Sequence, residues 1–235
     1  WCSMSWGTIS EGLAEAVRLI LSLDPTVISI TLRSIETAGF ATFLASIIGI
    51  PLSLVLTMKN FPGRGTIKFL FNSLVGIPTV TLGLVLYMLL SRTGPLGHLK
   101  LLYSVQGMAI GQAMLILPIS VTFIVSALES KMGEVNDLAR TLGASETQVA
   151  LAVLRESFNG VSLAIISSFN RAFAELGIAT MLGANITDLT RVLTTAIALE
   201  TNKGQFGLSF ALSLILISVV LLMNYLIRVL QGGET

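Results

Sequence analysis

The sequence has few of the residues on which soluble proteins and catalytic sites depend. Asp, Glu, Lys and Arg make up 11% of its 235 residues, whereas soluble domains contain roughly 25%. A single cysteine, Cys2, excludes a disulfide framework, and a single histidine, His98, leaves almost no ligands for a metal site. The net charge of +1 supplies no strong basic field, so nucleic acid is excluded as a partner.

Long uncharged segments are abundant in the sequence. Hydrophobic residues make up 53% of the chain, and the mean hydropathy is +0.86. A bilayer core requires about 20 consecutive apolar residues per helix. Four segments without a charged residue exceed that length, at 37–58, 69–91, 101–128 and 204–227, and a fifth at 160–185 contains only Arg171 and Glu175. The sequence therefore predicts an all-α integral membrane protein, with one transmembrane domain over 1–235 and spans at about 34–58, 68–91, 103–128, 159–183 and 206–230.

Residues 6–24 are predicted to form an amphipathic helix before the first span. Apolar residues recur at helical spacing from Ile9 to Leu21, and Glu11, Glu15 and Arg18 lie on the opposite face. The acidic residues argue against a signal peptide and against a sixth span. A helix of this kind lies on the membrane surface or packs against neighbouring spans, and the pattern fits both positions.

The longest polar segment, 129–157, begins with the pattern of a helix that ends in a sharp turn. Val135, Leu138, Ala139 and Leu142 recur at the spacing of one apolar helix face. Gly143 follows them directly. Glycine commonly ends a helix because it adopts the left-handed conformation without strain.

A second short helix is predicted directly after this turn. Ser145 and Gln148 stand at the spacing of a capping box, which satisfies free N–H groups at a helix start. Val149, Ala152 and Val153 give this helix its own apolar side. A plain linker needs no such pattern, so we predict that this segment carries the function.

Residues 137–145, Asp-Leu-Ala-Arg-Thr-Leu-Gly-Ala-Ser, resemble the cytoplasmic "EAA" loop of the permeases of ATP-binding-cassette (ABC) importers. Asp137 replaces the Glu of the family pattern, whereas Ala139 and Gly143 match it. Val153 takes the position of the later Ile, and Arg155-Glu156 replaces the Leu-Pro that follows. Because the proline is missing, the second helix is expected to continue into the fourth span without a break.

The resemblance implies the type I ABC importer permease fold and a set of partners. In that family the loop supplies a coupling helix that docks on a separate ATPase, and two permease subunits form the pore. The implied partners are a second copy of the chain, two ABC ATPases, an extracytoplasmic oxyanion-binding protein and the lipid of a prokaryotic plasma (inner) membrane. The residues that the resemblance assigns to ATPase coupling are Asp137, Ala139, Leu142, Gly143, Ala144, Ser145, Glu146, Thr147, Gln148 and Val149.

The resemblance also implies an orientation that the charges leave open. Lys and Arg are nearly equal in number on the two sides of the predicted spans, so the positive-inside rule gives no clear answer. The cluster of Lys59, Arg64 and Lys68 favours the cytoplasm. A cytoplasmic coupling loop agrees with that cluster and puts the N-terminus outside and the C-terminus inside.

The chain lacks a nucleotide-binding loop of its own. The phosphate-binding pattern G-x-x-x-x-G-K-[ST] does not occur in it. We therefore expect ATP and Mg²⁺ on the partner ATPase, no cofactor on this chain, and no enzymatic activity in this subunit alone.

Three further regions resemble the permeases of the molybdate, tungstate and sulfate group. They are 76–83 together with 93–97, 170–177, and 183–193. Within that group, the amphipathic helix before five spans and the Arg155-Glu156 pair are most similar to tungstate permeases. The resemblance therefore implies import of an oxyanion, with tungstate first and molybdate or sulfate as alternatives.

Polar residues and prolines within the spans are candidates for the translocation path. Arg171 and Glu175 are four residues apart, which predicts a shared helix face and a charge pair. Such a pair lines the path or locks the fourth span against its neighbours, and the locking role is favoured because a paired Arg attracts a passing anion weakly. Ser and Thr residues in the spans also have a second interpretation, as bridges between helices. The candidate path residues are Pro78, Thr79, Thr81, Pro118, Ser120, Asn170, Arg171 and Glu175.

Three other functions stay open at the level of sequence. A type I permease for another solute, such as an amino acid or a metal, has the same architecture. A self-sufficient channel or secondary carrier is less favoured, because carriers usually contain inverted repeats and none is evident. A membrane enzyme is less favoured still, since no nucleophile–base pair or metal constellation is present.

Overall fold

The computed structural model describes residues 10, 14, 17–19, 21–22 and 24–230. The regular elements in this part of the chain are all helical. Most of the amphipathic helix predicted at 6–24 lies outside the described residues. The helices are α1 (Pro25–Met58), α2 (Arg64–Leu74), α3 (Thr79–Leu90), a 3-10 turn (Gly97–Leu99), α4 (Val105–Thr141), α5 (Glu146–Glu156), α6 (Phe158–Phe173), α7 (Gly177–Gly183), α8 (Leu193–Asn202) and α9 (Phe206–Leu230).

Among the described residues, three helices are long and apolar enough to cross a membrane: α1, α4 and α9. Two pairs of helices, α2 with α3 and α5 with α6, meet the same test only when each broken pair is taken as one span, which brings the number to five. The prediction of an all-α membrane protein is therefore confirmed.

The helix that contains the first predicted span begins before residue 34, because Asp24 and Pro25 form a helix start. Asp24 Oδ1 accepts hydrogen bonds from the backbone N–H groups of Thr26 at 2.8 Å and Val27 at 3.3 Å. Proline at the next position needs no N–H partner there. Arg33 and Glu36, which limited the predicted span, lie inside α1 and pair with each other at 3.5 Å.

The helix over the predicted span at 68–91 is broken in the structure, because the chain leaves the helix after Leu74. The N–H groups of Gly76 and Ile77 bond to carbonyls three residues back, which tightens and ends the turn. Pro78 has no N–H group and forces Ile77 away from the helical conformation. A new helix then starts at Thr79, so Pro78 lies in the break between two helices.

The described chain divides into two compact units. The first unit comprises Trp1–Gly39, Thr79–Gln112 and Phe173–Leu222, and the second comprises Phe40–Pro78, Ala113–Ala172 and Met223–Thr235. In the first unit, α7 packs closely on α3 and on the start of α4. A Cβ atom on Gly111 would lie 2.6 Å from Leu182 Cδ1 and 2.8 Å from Ile178 Cγ2, so a larger residue there would require these side chains to shift.

The core of the second unit is an apolar cluster contributed by α4, α5 and α6. We call these residues the inner cluster: Ile124, Leu128, Val149, Val153, Val161 and Ala164. α6 also lies close to α4 elsewhere, since a Cβ on Gly160 would be 2.7 Å from the Cβ of Ala127.

The expectation that the helix after Gly143 runs into the fourth span without a break is wrong. α5 ends at Glu156, and α6 leaves it at an angle of 68°. Ser157, at the junction, donates its N–H to the Val153 carbonyl at 2.9 Å and has φ −91° and ψ 8°. Val149 and Val153 of α5 and Val161 of α6 bury their side chains in the same cluster across this bend.

Candidate functional site

The turn at Gly143 closes α4 with a hydrogen-bond pattern that satisfies its last carbonyl groups. The N–H of Ala144 bonds to the Ala139 carbonyl, and the N–H of Gly143 bonds to the Arg140 carbonyl, both at 3.0 Å. Gly143 has φ 77°, in the left-handed region. This arrangement is the Schellman motif, in which glycine is preferred because it has no Cβ. The predicted helix end at Gly143 is confirmed.

The start of α5 is a complete capping box, as predicted. Ser145 Oγ accepts from the backbone N–H of Gln148 at 3.4 Å, and Gln148 Oε1 accepts from the backbone N–H of Ser145 at 2.8 Å. Glu146 follows in the first turn, where a negative charge is favourable beside the positive end of the helix dipole. Only four residues separate the two helix ends, and each end satisfies its own backbone groups.

The inner face of this segment anchors it to the second unit. Val149 and Val153 are 1% and 0% exposed and belong to the inner cluster, and Val135, Ala139 and Ala144 pack against that cluster. Val149, which the resemblance assigned to ATPase coupling, is therefore buried and does not lie on the surface of this segment. Its side chain points into the protein and fixes the position of α5.

The outer face differs from the predicted apolar face. Leu138 and Leu142 are 66% and 79% exposed, although they share helical spacing with the packed Val135 and Ala139. The side chains at the start of α5 are exposed as well. We call the following residues the elbow surface: Leu138, Leu142, Glu146, Thr147 and Gln148.

The remaining residues predicted for coupling lie around the turn and differ in how far they are exposed. Asp137 and Ser145 are exposed, and Ala139 and Ala144 are half-buried against the inner cluster. The resemblance assigned Leu142 to coupling and left out Leu138, whereas helical spacing placed both leucines on one apolar face with Val135.

In the first unit, the structure brings together two of the predicted path residues, Thr79 and Glu175. Glu175 is 3% exposed, and its Oε1 accepts from the N–H groups of Gly177 at 2.8 Å and Ile178 at 3.3 Å. A Cβ on Gly177 would lie 2.8 Å from Thr79 Oγ1 and 3.2 Å from Glu175 Oε1. Thr194 Oγ1 also donates to the Glu175 carbonyl at 2.9 Å. Glu175 therefore caps α7 from a buried position.

The predicted shared helix face of Arg171 and Glu175 is wrong. α6 ends at Phe173, and Glu175 lies in the short break before α7. Arg171 lies in the last turn of α6 and is half-buried. The break occurs because the Glu175 carboxylate binds the first N–H groups of a new helix.

Among the other predicted path residues, two make contacts between helices. The rest do not form the expected cluster. Ser120 is fully buried, and its Oγ would be 3.2 Å from a Cβ on Gly49, so it marks a close approach of α1 and α4. Asn170 Nδ2 donates to Asn224 Oδ1 at 3.2 Å and links α6 to α9. Pro118 is buried inside α4, which continues past it, whereas Pro78 and Thr81 are exposed.

Gln112 is a buried polar residue that the sequence reasoning did not single out. It lies in α4, is 3% exposed, and its Oε1 has no hydrogen-bond partner within the described part of the chain. The available signal was an amide in the middle of the uncharged segment 101–128, which contains Gln106 and Gln112. Groups of three or more His, Cys, Asp or Glu side chains that could hold a metal are absent among the described residues.

Comparison with protein families identifies one whose sequence profile matches most of the chain. This family is described as "Binding-protein-dependent transport system inner membrane component", and its profile matches residues 45–233. The match includes α2 to α9, and therefore the elbow surface.

Individual relatives align over nearly the same length. The tungstate uptake system permease protein TupB of Peptoclostridium acidaminophilum is 34% identical over 223 residues, which are 95% of this chain and 98% of the relative. The TupB protein of Campylobacter jejuni is 32% identical over 223 residues, covering 95% and 93%. A probable anion ABC transporter permease protein of Haloferax volcanii is 36% identical over 204 residues, covering 85% and 88%.

Proposed function

Because the chain belongs to the family of binding-protein-dependent transport system inner membrane components, we propose that it is the permease subunit of an ATP-driven oxyanion importer. The proposed cargo is tungstate, with molybdate and sulfate as the related alternatives. Two relatives that align over 95% of the chain are named as tungstate permeases, which supports this choice. The three long apolar helices and two broken pairs supply the membrane-embedded part of such a subunit.

The elbow surface is the observation that carries the proposal. α5 is held by two fully buried valines on one side and exposes Glu146, Thr147 and Gln148 on the other. A helix that is fixed before its partner arrives loses little conformational freedom on docking. The exposed Leu138 and Leu142 add apolar area beside it, as protein interfaces require.

The proposed partner at the elbow surface is an ABC ATPase, and ATP and Mg²⁺ bind there and not on this chain. Two ATPases serve a homodimer of the permease, and an extracytoplasmic binding protein delivers the oxyanion. On this proposal the elbow surface and the C-terminus are cytoplasmic, and the N-terminus is outside. Closure of the two ATPases then moves each α5, and its anchored face transmits the movement to α4 and α6.

Inside the permease, we propose different roles for the predicted path residues. Glu175 fixes α7 against Thr79, since its carboxylate is committed to backbone N–H groups. Ser120 and Asn170 act in helix packing, because each lies between two helices. Arg171, in the last turn of α6, is proposed to lock the fourth span against its neighbours, which is the role that the sequence favoured.

ATP hydrolysis by the reconstituted importer tests the proposal. The chain is co-expressed with its ATPase, placed in liposomes with the binding protein, and assayed with tungstate, molybdate, sulfate or no anion. We expect stimulation by tungstate above the other anions, and loss of that stimulation in Gly143→Pro. Gly133→Ala is the matched control, since Gly133 lies within α4 and a Cβ there meets nothing within 4 Å.

The outcomes separate the parts of the proposal. If the complex assembles but none of the three anions stimulates ATP hydrolysis, the permease role stands and the oxyanion cargo is rejected. An amino acid or a metal then becomes the alternative cargo. A chain that binds no ATPase rejects the coupling role of the elbow surface.

A further inference from the structure

A cavity in the second unit lies where two apolar segments of the chain reach their first charged residues. It has a volume of about 310 Å³, and α1, α2 and α4 contribute its walls. Leu56 lies near the end of the uncharged segment 37–58, Glu129 directly follows the uncharged segment 101–128, and both line the cavity. Charged residues resume where a helix leaves the hydrocarbon core. The cavity, which we call the α2 pocket, therefore lies at the level of the lipid headgroups.

The α2 pocket has a net positive charge. Arg64 and Lys68 are four residues apart in α2 and share one helix face. Arg64 Nη2 donates to Glu129 Oε1 at 3.1 Å, and Lys68 Nζ donates to the same oxygen. Arg64 is also held by the Asn60 side chain, since its Nη1 donates to Asn60 Oδ1 at 2.6 Å. Two cations share one carboxylate, which leaves one positive charge without a balancing negative charge.

The wall of the α2 pocket also contains a hydroxyl group that needs a partner. Thr122 of α4 lines the pocket, and its Oγ1 is buried without a hydrogen-bond partner in the part of the chain that the structure describes. Buried polar groups of this kind are rare in native proteins and call for a bound water, ion or ligand. Asn72, one turn after Lys68, adds an exposed amide to the same wall. An ammonium, an amide and a hydroxyl group are suitable donors to the oxygens of a phosphate group.

The rest of the wall is apolar. Leu56, Val121 and Val125 form a buried cluster at its base, and Phe71 packs against that cluster. Phe69 lines the pocket as well but is 71% exposed. A small inorganic anion gains nothing from this apolar surface, whereas the acyl chains of a lipid can cover it.

We infer that the α2 pocket binds the headgroup of a phospholipid with a net negative charge, such as phosphatidylglycerol. The single charge of a phosphodiester matches the one unbalanced positive charge, and a zwitterionic headgroup would bring its own cation close to Lys68. Basic pockets between membrane helices bind anionic headgroups in this way. Glu129 lies between the apolar part of α4 and the elbow surface, so the proposed function places the pocket in the cytoplasmic leaflet. Only this choice of leaflet rests on the proposed function, because the binding itself requires only a membrane.

Lipid titration of the purified chain tests the inference. The chain in detergent is titrated with short-chain phosphatidylglycerol or phosphatidylcholine, and native mass spectrometry gives the Kd for each lipid. We expect tighter binding of phosphatidylglycerol. Lys68→Gln should weaken that binding about fivefold, as expected for one charge at the membrane surface. Thr122→Val keeps the shape of the side chain and removes the hydroxyl group, and it should weaken binding about twofold to tenfold.

Glu129→Gln is the variant that separates lipid binding from a structural role of the ion pairs. It keeps an oxygen acceptor but removes the charge that neutralises one of the two cations, so phosphatidylglycerol should bind about fivefold more tightly. A structural role alone predicts weaker binding with both Lys68→Gln and Glu129→Gln. Lys59→Gln is the matched control, because Lys59 directly follows α1 and does not line the pocket. Thermal midpoints report folding, and if Lys68→Gln does not fold, Glu129→Gln and Thr122→Val decide.

The outcomes keep this site apart from the proposed function. Equal Kd values for the two lipids, or weaker binding with Glu129→Gln, would overturn the inference. Displacement of the lipid by excess inorganic phosphate or tungstate would also overturn it and assign the pocket to a free anion. A chain that binds phosphatidylglycerol selectively but binds no ATPase keeps the site and rejects the proposed function. A working importer without lipid selectivity gives the reverse result.

Discussion

At Gly143 the backbone conformation decides which residues can close the turn before α5. The φ of 77° is accessible to glycine, tolerable for asparagine and strained for a β-branched residue. A Cβ at this position meets no atom within 4 Å, so the cost comes from φ and not from crowding. The size of the side chain is therefore the wrong quantity by which to rank substitutions here.

We predict that coupled ATP hydrolysis is highest with Gly143 and decreases in the order Gly143→Asn, Gly143→Ala and Gly143→Val. The strain of Gly143→Ala is about 1 kcal/mol and that of Gly143→Val is larger, so the elbow shifts from its docked position. Tungstate-stimulated ATPase rates of the four proteins give the order. Equal rates for Asn and Val would show that the turn conformation does not matter for coupling.

Glu175 offers a second prediction at the scale of one residue. Glu175→Gln keeps an oxygen that accepts from Gly177 and Ile178 but removes a buried charge. We expect assembled complexes with reduced tungstate uptake. Glu175→Ala removes the cap as well and should lower the free energy of unfolding by about 1–2 kcal/mol.

Uptake into liposomes and the thermal midpoint of the complex separate these two effects. Glu156→Gln, at an exposed position at the end of α5, is the control for loss of one carboxylate. Unchanged uptake by Glu175→Gln would restrict Glu175 to capping α7.

The packing of α6 on α4 is a property of two elements, and it depends on one pair of small residues. A Cβ on Gly160 would be 2.7 Å from the Cβ of Ala127. We predict that Gly160→Ala lowers stability by about 1–3 kcal/mol through overpacking. Combining it with Ala127→Gly should restore most of that loss, because the contact then exists with the residues exchanged.

Thermal unfolding of the two single variants and the double variant forms a mutant cycle for this contact. Gly133→Ala, in open space on α4, reports the intrinsic effect of replacing a helical glycine. Additive losses in the double variant would contradict a direct contact between the two helices.

The start or end of a helix could be predicted from the sequence when the residues that form it lie close together in the chain. The Gly143 turn and the Ser145 capping box were predicted residue by residue, because each is made by backbone groups within a few residues of the signal. The breaks at 75–78 and 174–176 were missed, since a count of apolar residues contains no information on backbone hydrogen bonds. Pro78 and Glu175 were noticed in the sequence, but as lining and as a charge partner.

Burial in the candidate site was the least predictable property. Helical spacing placed Leu138 and Leu142 with Val135 on one face, yet only Val135 packs on the inner cluster. Which leucines reach the core depends on where α5 and α6 lie, and that position follows from the bend at Ser157. No periodicity within α4 encodes it.

At the scale of the whole molecule, the elbow surface should determine assembly with the ATPase. We predict that Leu138→Ser combined with Leu142→Ser reduces the amount of ATPase that purifies with the chain by about tenfold or more. Both side chains are exposed, so the stability of the permease itself should change little. Leu221→Ser combined with Leu222→Ser, at exposed positions in the apolar helix α9, is the matched control.

The amount of ATPase that co-purifies from detergent is compared between the two variants, and the thermal midpoint of each permease variant reports its stability. Normal ATPase recovery with the elbow variant would confine docking to Glu146, Thr147 and Gln148. Loss of recovery with the α9 variant alone would move the assembly surface into the membrane.

The two exposed leucines at the elbow also have a consequence for biosynthesis. On the proposed coupling role, a newly made chain that has not met its ATPase displays Leu138 and Leu142 to water, and apolar patches of this kind associate with one another. The supply of ATPase during translation would then set how much of this surface stays uncovered. A cell would therefore benefit from making both subunits together and in fixed proportion.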